Sequence, residues 1–405
     1  MTSTSAAKEL RALADLINGA VEKIERACAS RSQTYPLADD PFTPQSEAVR
    51  MTPDVLEPGN IIVAAAAQLI SAVQITPDVF ANNRLSSLID TGKTVDEILN
   101  NPDDKFVGTS GMAAVMEHMM DEGGKSSGWL PETIIDKTVG ASQEPNEASF
   151  NKAYDTQLSI FPWWELPENA YRDKRFGIGM QGIQSKTSPG AIIEGYEWMD
   201  LPEGSVVVDV GAGIGAHSLV LARAFEHLQI VVQDRAPVIA DAEKFWLAQY
   251  PEAVQGGRIS FQAHDFFALQ PIKEPAVFLL RTIMHNWSDK YAGKILTELR
   301  AVAGPNTTLI LVDNAIKYAC EDTTAARNIP GASVPFPPKP LLANYGIAGV
   351  MPYLMDIHML ALANGYERTV VQFETLLKGC GWKLTRVFRV SGFEVGNSKI
   401  FAVPL

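Results

Sequence analysis

The run Val206-Val207-Val208-Asp209-Val210-Gly211-Ala212-Gly213-Ile214-Gly215 carries the clearest chemical pattern in the chain. Its valine-rich start reads as a buried strand, and the three glycines open a loop whose backbone a ligand can approach without meeting side chains. Gly211, Gly213 and Ala216 also fit a dinucleotide fingerprint, with Asp234 about 20 residues on, where a ribose-binding acid is expected. The glycines alone therefore leave two cofactors open, a nicotinamide dinucleotide and S-adenosylmethionine. Asp209 favours the second, because an amino group and a sulfonium gain from a nearby negative charge and a pyrophosphate does not. Without a ligand the same run is a tight strand-to-helix turn, and Asp234 taken alone is a helix cap.

His285 follows the apolar strand Val277–Leu280, which puts it at the carboxyl end of a sheet, where open α/β folds bind ligands. Taken alone it is an ordinary loop histidine. Ser288 is expected to cap the helix that runs through Leu296 and Leu299. His264 and His358 have no such setting and are read as structural.

These groups need a scaffold, and the rhythm after Leu201 supplies one. Short buried strands at 206–210, 230–233, 259–263, 276–280 and 309–312 alternate with amphipathic helices, the pattern of a parallel sheet covered on both faces. Helices at 351–362 and 373–378 and strands at 384–390 and 400–403 close the domain, and the proline-rich 330–340 is an irregular excursion. Ahead of it the chain is mostly helical. Leu10, Leu13, Ile17, Ala20, Ile24 and Cys28 share one helix face, which packs on its own domain or on a second copy. After a proline-rich loop come an Ala-rich helix at 64–73, a strand-like piece at Val79-Phe80, a helix at 86–90 and a Met-rich helix through Met112, Met116, Met119 and Met120 that reads as core. A linker is expected at 141–148, then a helical region from Phe161, where Trp163 and Trp164 pack in the core or line a pocket. The expected domains are a helical N-terminal region over 1–160 and an α/β domain over 161–405.

Composition narrows the class of partner. A chain of 405 residues, 46% of them hydrophobic, buries a sizeable core, and its formal charge of −13 gives no attraction to nucleic acid or to an anionic membrane surface. The apolar run at 61–75 is too short and too polar to cross a bilayer. Three scattered cysteines, Cys28, Cys320 and Cys380, supply neither a disulfide framework nor a metal set, so no metal is expected. With no secretory pattern at the N-terminus, the expected location is the cytoplasm.

Five ordered blocks complete the picture: 208–215, Val232-Gln233-Asp234-Arg235, Ala263-His264-Asp265-Phe266-Phe267, the run from Leu280 through Arg281, His285 and Trp287 to Asp289, and Tyr366-Glu367-Arg368-Thr369. Together they resemble the plant-type class I S-adenosylmethionine-dependent O-methyltransferases, especially the fungal small-molecule members. The resemblance implies a Rossmann-like methyltransferase domain with a helical dimerisation domain, and a small aromatic acceptor methylated on a hydroxyl. It implies that Gly211, Gly213 and Gly215 face the methionine part of the donor, that Asp234 holds the ribose and that Asp265 and Phe266 bracket the adenine, with Arg281 and Trp287 beside it. His285 takes the place of the catalytic base, with Asp313 and Glu367 as the carboxylates that orient it. A phenol has a pKa of about 10 and histidine one of about 6.5, so such a base can take the phenolic proton during attack. Phe176, Met180, Met355 and Met359 are candidates for the acceptor pocket, and core packing is an equal reading of each.

The sequence departs from that family in two places. Asp313 stands where many members have glutamate, one methylene longer. The Ala-rich helix runs almost directly from Gln74 into Val79-Phe80-Ala81-Asn82-Asn83-Arg84-Leu85-Ser86, so most of the winged helix expected between them is missing, which bears on dimerisation. Two other readings stand beside an active methyltransferase: a nicotinamide-dependent oxidoreductase, and a silent donor-binding paralogue that regulates a full-length relative.

Overall fold

Strands form where the sequence is richest in valine, isoleucine and leucine, and they assemble into one seven-stranded sheet. The computed structural model describes residues 3–36, 89–186, 190–320, 324–333, 349–389 and 398–405, with residues 343–344 and scattered positions between 49 and 69. By its internal contacts the chain divides into two units, Met1–Lys93 and Thr94–Leu405. The segment from Thr94 to residue 160, expected with the N-terminal region, thus belongs to the unit that holds the sheet.

In the first unit, helix α1 (Ser3–Ser30) buries Leu13, Ala20, Ile24 and Cys28 and half-buries Leu10 and Ile17, the face drawn from the spacing. Ile24, Ala27 and Cys28 pack with Val49, Val55 and Ile62 of the same unit. The expected strand at Val79-Phe80 and most of the helix at 86–90 lie outside the described residues.

In the second unit the strand order is β3-β2-β1-β4-β5-β7-β6. Strands β1 (Val206–Val210), β2 (Gln229–Asp234), β3 (Ile259–Ala263), β4 (Val277–Arg281) and β5 (Thr308–Asp313) are parallel. Strand β7 (Ser398–Pro404) runs antiparallel between β5 and β6 (Trp382–Arg389). Side chains alternate across the sheet with period two. Val208, Val210, Leu280 and Leu311 face one apolar layer with Leu296, Leu299, Phe373 and Leu377, and Val207, Val232, Leu279 and Val312 face the other with Leu219, Leu221, Ile239 and Trp246. The chain order reverses between β1 and β4, which opens a crevice at the carboxyl ends of these two strands.

Among the described residues of this unit, the α-helices of seven residues or more are α2 (Met112–His118), α3 (Ala170–Lys186), α4 (Ala216–Ala224), α5 (Ala236–Gln249), α6 (Asp289–Val302), α7 (Met351–Ala363) and α8 (Val370–Gly379). Helix α8 starts on a capping box, Thr369 accepting from the Gln372 amide and Gln372 from the Thr369 amide.

Three local expectations are corrected. The Met-rich helix is α2 followed by a π turn over Met119–Gly123, and Met116 and Met120 point to solvent instead of forming core. The stretch at 141–148 is no loose linker: Ser142 bonds Glu147, Glu144 bonds Lys290 and Tyr291, and Ala148 is buried. Ser288 does sit at the start of α6, but its hydroxyl donates to the Gln143 carbonyl at 2.8 Å and caps nothing.

Candidate active site

The glycine loop leaves β1 at the crevice with Gly211, Gly213 and Gly215 at φ of 71°, 59° and 72°, the left-handed region that glycine enters without strain. Two of them are also held by packing. A Cβ on Gly211 would stand 2.5 Å from Ile283 Cδ1, and one on Gly215 2.8 Å from Trp246 Nε1. A Cβ on Gly213 would meet nothing within 4 Å, so this glycine faces open space in the crevice. Asp234, at the tip of β2, accepts from the Gly213 amide and from its own neighbour Arg235, each at 2.7 Å. It therefore shapes the loop and keeps second lone pairs for a ligand. Asp209 is buried in β1 and accepts from Ser218 at 2.6 Å; burial pushes its carboxyl up to about 6 despite that bond. A cationic ligand beside it would favour the ionised form.

The candidate base, His285, lies in the turn after β4. Thr282 adopts φ of 51°, a costly conformation for a β-branched residue, and Asn286 donates back to its carbonyl at 2.9 Å. This turn leads into the 3-10 helix Met284–Asn286 and buries His285. His285 Nδ1 lies 2.9 Å from Glu367 Oε1, so an N–H at Nδ1 donates there and Nε2 keeps its lone pair. Burial pulls the imidazole down, but the hydrogen bond and charge of Glu367, with the charge of Asp313, outweigh it and raise His285 above its ordinary value. Glu367 is itself held: Asn314 donates to Oε1 at 3.2 Å, and its amide donates to Asp356 at 2.8 Å. Asp313 makes no hydrogen bond to the ring. It is buried near His285 and faces the Met284 amide, yet neither carboxylate oxygen makes a well-formed hydrogen bond. Burial pushes it up to about 7, with the His285 charge opposing and the Glu367 charge adding. Of the two expected carboxylates, Glu367 alone hydrogen-bonds the imidazole, and Asp313 acts on it through its charge.

A continuous wall of aromatic rings joins the two halves of the crevice. Phe266 and Phe267, on the loop after β3, meet the edge of Trp287 at 5.9 and 4.8 Å. Phe161 lies 6.0 Å from Trp287 and 5.7 Å from Trp164, which stacks on Phe176 at 4.2 Å. Trp163, Trp164, Met359 and Leu362 form a buried cluster with Phe176 and Met355 packed against it. Three of the four candidate pocket residues are thereby brought together. Met180, one turn further along α3 and half-buried, is not part of that cluster. Asp265 is exposed and accepts from the Phe267 amide, and Arg281 ends β4, where its charge favours ionised Asp209. Among the described residues no group of three His, Cys, Asp or Glu is placed to hold a metal, and no helix is long and apolar enough to cross a membrane.

Comparison with known proteins decides the class of chemistry. A family model described as an O-methyltransferase domain matches residues 138–333. An O-methyltransferase of Armillaria gallica is 33% identical, the match covering 98% of this chain and 99% of the relative. The chain belongs to the O-methyltransferase family. A second such relative, 4-O-methyltransferase 1 of Phanerochaete chrysosporium, is 34% identical over 98% of this chain and 99% of its own length. Among solved structures, mitomycin 7-O-methyltransferase superposes with a TM-score of 0.57 over the full length of both chains at 19% identity, which shows the shared fold. The O-methyltransferase is therefore an enzyme that uses S-adenosylmethionine, and the nicotinamide oxidoreductase reading falls away. The crevice suits that donor: Gly213 leaves room for it, and Asp209 and Asp234 supply negative charge and acceptors.

Several residues of the O-methyltransferase site escaped the sequence reading. Arg368, almost wholly buried, donates to the carbonyls of Met284 and Trp287, each at 2.7 Å, and to Asp289 at 3.0 Å, clamping the turn that carries His285. Its place beside Glu367 in the last motif was the available signal. Gly365 lies so close to this turn that a Cβ would come within 2.2 Å of the His285 carbonyl oxygen. Ser218 beneath Asp209 and Trp246 against Gly215 carried no local signal at all.

Proposed function

We propose that the enzyme methylates a phenolic hydroxyl of a small aromatic acceptor, with His285 Nε2 as the general base. The observation that carries this reading is the buried His285–Glu367 pair, in which Glu367 holds Nδ1 and leaves Nε2 for the acceptor, two residues before the Trp287 end of the aromatic chain. When bound, the donor supplies a methyl group on positively charged sulfur, which an oxygen nucleophile can displace. The chain's own contribution is alignment and proton removal. His285 takes the hydroxyl proton as the oxygen gains charge, and Glu367 stabilises the imidazolium that results. Gly211, Gly213 and Gly215 with Asp209 and Arg281 hold the methionine end of the donor, Asp234 the ribose, and Asp265, Phe266 and Trp287 the adenine. Phe176, Met355 and Met359 form the flat acceptor wall, with Met180 at its margin. Proton transfer by a positioned base contributes roughly 10²–10⁴-fold in rate.

Within this reading the enzyme acts in the cytoplasm, where Cys28, Cys320 and Cys380 stay reduced. Its dimerisation domain is abbreviated, and association as a homodimer rests on what remains of it. The alignment with the Armillaria relative supports the abbreviation: it runs over 470 positions while 98% of 405 residues is about 397, so about 73 positions of it face gaps in this chain. The silent-paralogue reading is disfavoured by the intact base and carboxylate.

The test is incubation with labelled S-adenosylmethionine and a panel of small phenols and amines, with products read by mass spectrometry. His285→Ala should lower turnover at least a hundredfold while S-adenosylhomocysteine still raises the melting temperature. Equal turnover in variant and parent would remove His285 from the mechanism.

A further inference from the structure

The aromatic cluster proposed as the acceptor wall also carries polar groups that methyl transfer does not use. His118 closes α2, and its Nδ1 lies 3.1 Å from Glu122 Oε2 in the π turn. Arg175 of α3 pairs with the same Glu122 carboxylate and also with Glu117 and Asp121. In the neutral ring the Glu122 carboxylate accepts from Nδ1–H, the tautomer that places the lone pair on His118 Nε2. His358, on α7 beside Met359, faces His118 edge to face at 5.5 Å. Its Nδ1–Cε1 edge lies on Gly123, where a Cβ would come within 2.7 Å of Nδ1 and 2.5 Å of Cε1, so Nε2 is the nitrogen turned from that backbone. Burial, with the charges of His118 and His285, holds His358 neutral down to about pH 3. Among the described residues nothing hydrogen-bonds His118 Nε2 or either ring nitrogen of His358, although both residues are buried. Trp164 and Phe176 flank His118 at 5.8 and 5.3 Å, which puts the two histidines on the acceptor wall.

We propose that His118 and His358 bind a second hydroxyl of the acceptor, so that the preferred substrate is an aromatic ring with at least two hydroxyl groups, one methylated and one held here. This rests on the function proposed above. A hydroxyl fits because it donates to the His118 Nε2 lone pair while accepting from His358 N–H. A carboxylate fits worse, because Arg175 is already committed to three carboxylates and the neutral His358 offers no balancing charge. The histidine read from sequence as structural thereby becomes a specificity residue.

The test compares kcat/KM for the three benzenediols with that for phenol. The parent enzyme should favour at least one diol by about tenfold or more, the value of one well-placed hydrogen bond. His118→Leu and His358→Leu should each bring that ratio toward one, mainly through KM, and His358→Gln, which keeps an N–H donor, should restore part of it. Parent enzyme without any diol preference, or an unchanged ratio in variants that still bind S-adenosylhomocysteine, would overturn the proposal. If the Leu variants do not fold, the parent's ratio and that of His358→Gln decide. If no phenol is methylated at all, the proposed function fails, and calorimetric binding of benzenediols with and without His118→Leu reports on this site separately.

Discussion

Replacing Glu367 by Gln tests how much of the catalysis rests on one buried charge. The amide is isosteric, and its oxygen can still accept from His285 Nδ1–H, so the ring keeps its tautomer and place. What disappears is the charge facing the imidazolium that forms as the acceptor loses its proton. A unit pair about 4 Å apart in a medium of effective dielectric about 20 is worth about 4 kcal/mol, and the retained neutral hydrogen bond returns about 1 kcal/mol. The remaining ~3 kcal/mol corresponds to a fall in kcat of about a hundredfold. The pH profile should move as well. In the parent, Glu367 and Asp313 raise His285 above 6.5 against the pull of burial, so the acid limb of kcat/KM lies above that value. Without the Glu367 charge burial gains ground, and the limb moves to lower pH while the plateau drops. Steady-state kinetics from pH 5 to 9, with donor affinity measured by calorimetry as a control, read both effects. A plateau within threefold of the parent together with an unmoved acid limb would refute the role given to Glu367.

Arg368→Met should destabilise the fold by about 3–5 kcal/mol, because it strands two buried carbonyls and breaks the pair with Asp289; a denaturation midpoint equivalent to less than 1 kcal/mol would show that the clamp is idle. Asp313→Asn probes a carboxyl raised from 3.8 to about 7 in the folded state. Between those values the folded chain holds a proton the unfolded chain has released, so the parent loses stability as pH rises from about 4 to 7, by a few kcal/mol at most. The Asn variant escapes that loss, and its advantage in urea unfolding should be larger at pH 8 than at pH 5; equal differences at both would contradict the assignment. Gly365→Ala should displace the His285 turn and cut kcat about a hundredfold with donor affinity little changed, since a shift near 1 Å costs that much. Parental kcat in a folded Gly365→Ala enzyme would count against so tight an approach.

Local sequence determined the strand, glycine loop and acid proposed to hold the donor. Valines on a two-residue period form β1, the glycines after it enter the left-handed region, and Asp234 ends the neighbouring strand, all within about 30 residues. Such features depend on backbone preference and short-range burial, which a sequence displays directly. His285, the proposed base, could be placed at the end of β4 for the same reason. Which carboxylate hydrogen-bonds it could not, because Asp313 ends β5 and Glu367 lies between two helices, both plausible from sequence, and only packing puts Glu367 at 2.9 Å and leaves Asp313 without a hydrogen bond. The Ser288 bond to Gln143, the Arg368 clamp on Met284 and the meeting of Arg175 with Glu122 join groups 53 to 145 residues apart. Their partners are chosen by the way helices settle on the sheet and by the cost of burying an unpaired charge, which no local pattern encodes. For the proposed acceptor half, the sequence left Trp164, Phe176, Met355 and Met359 readable as core or as pocket, and only the folded chain brings them together with His118 and His358.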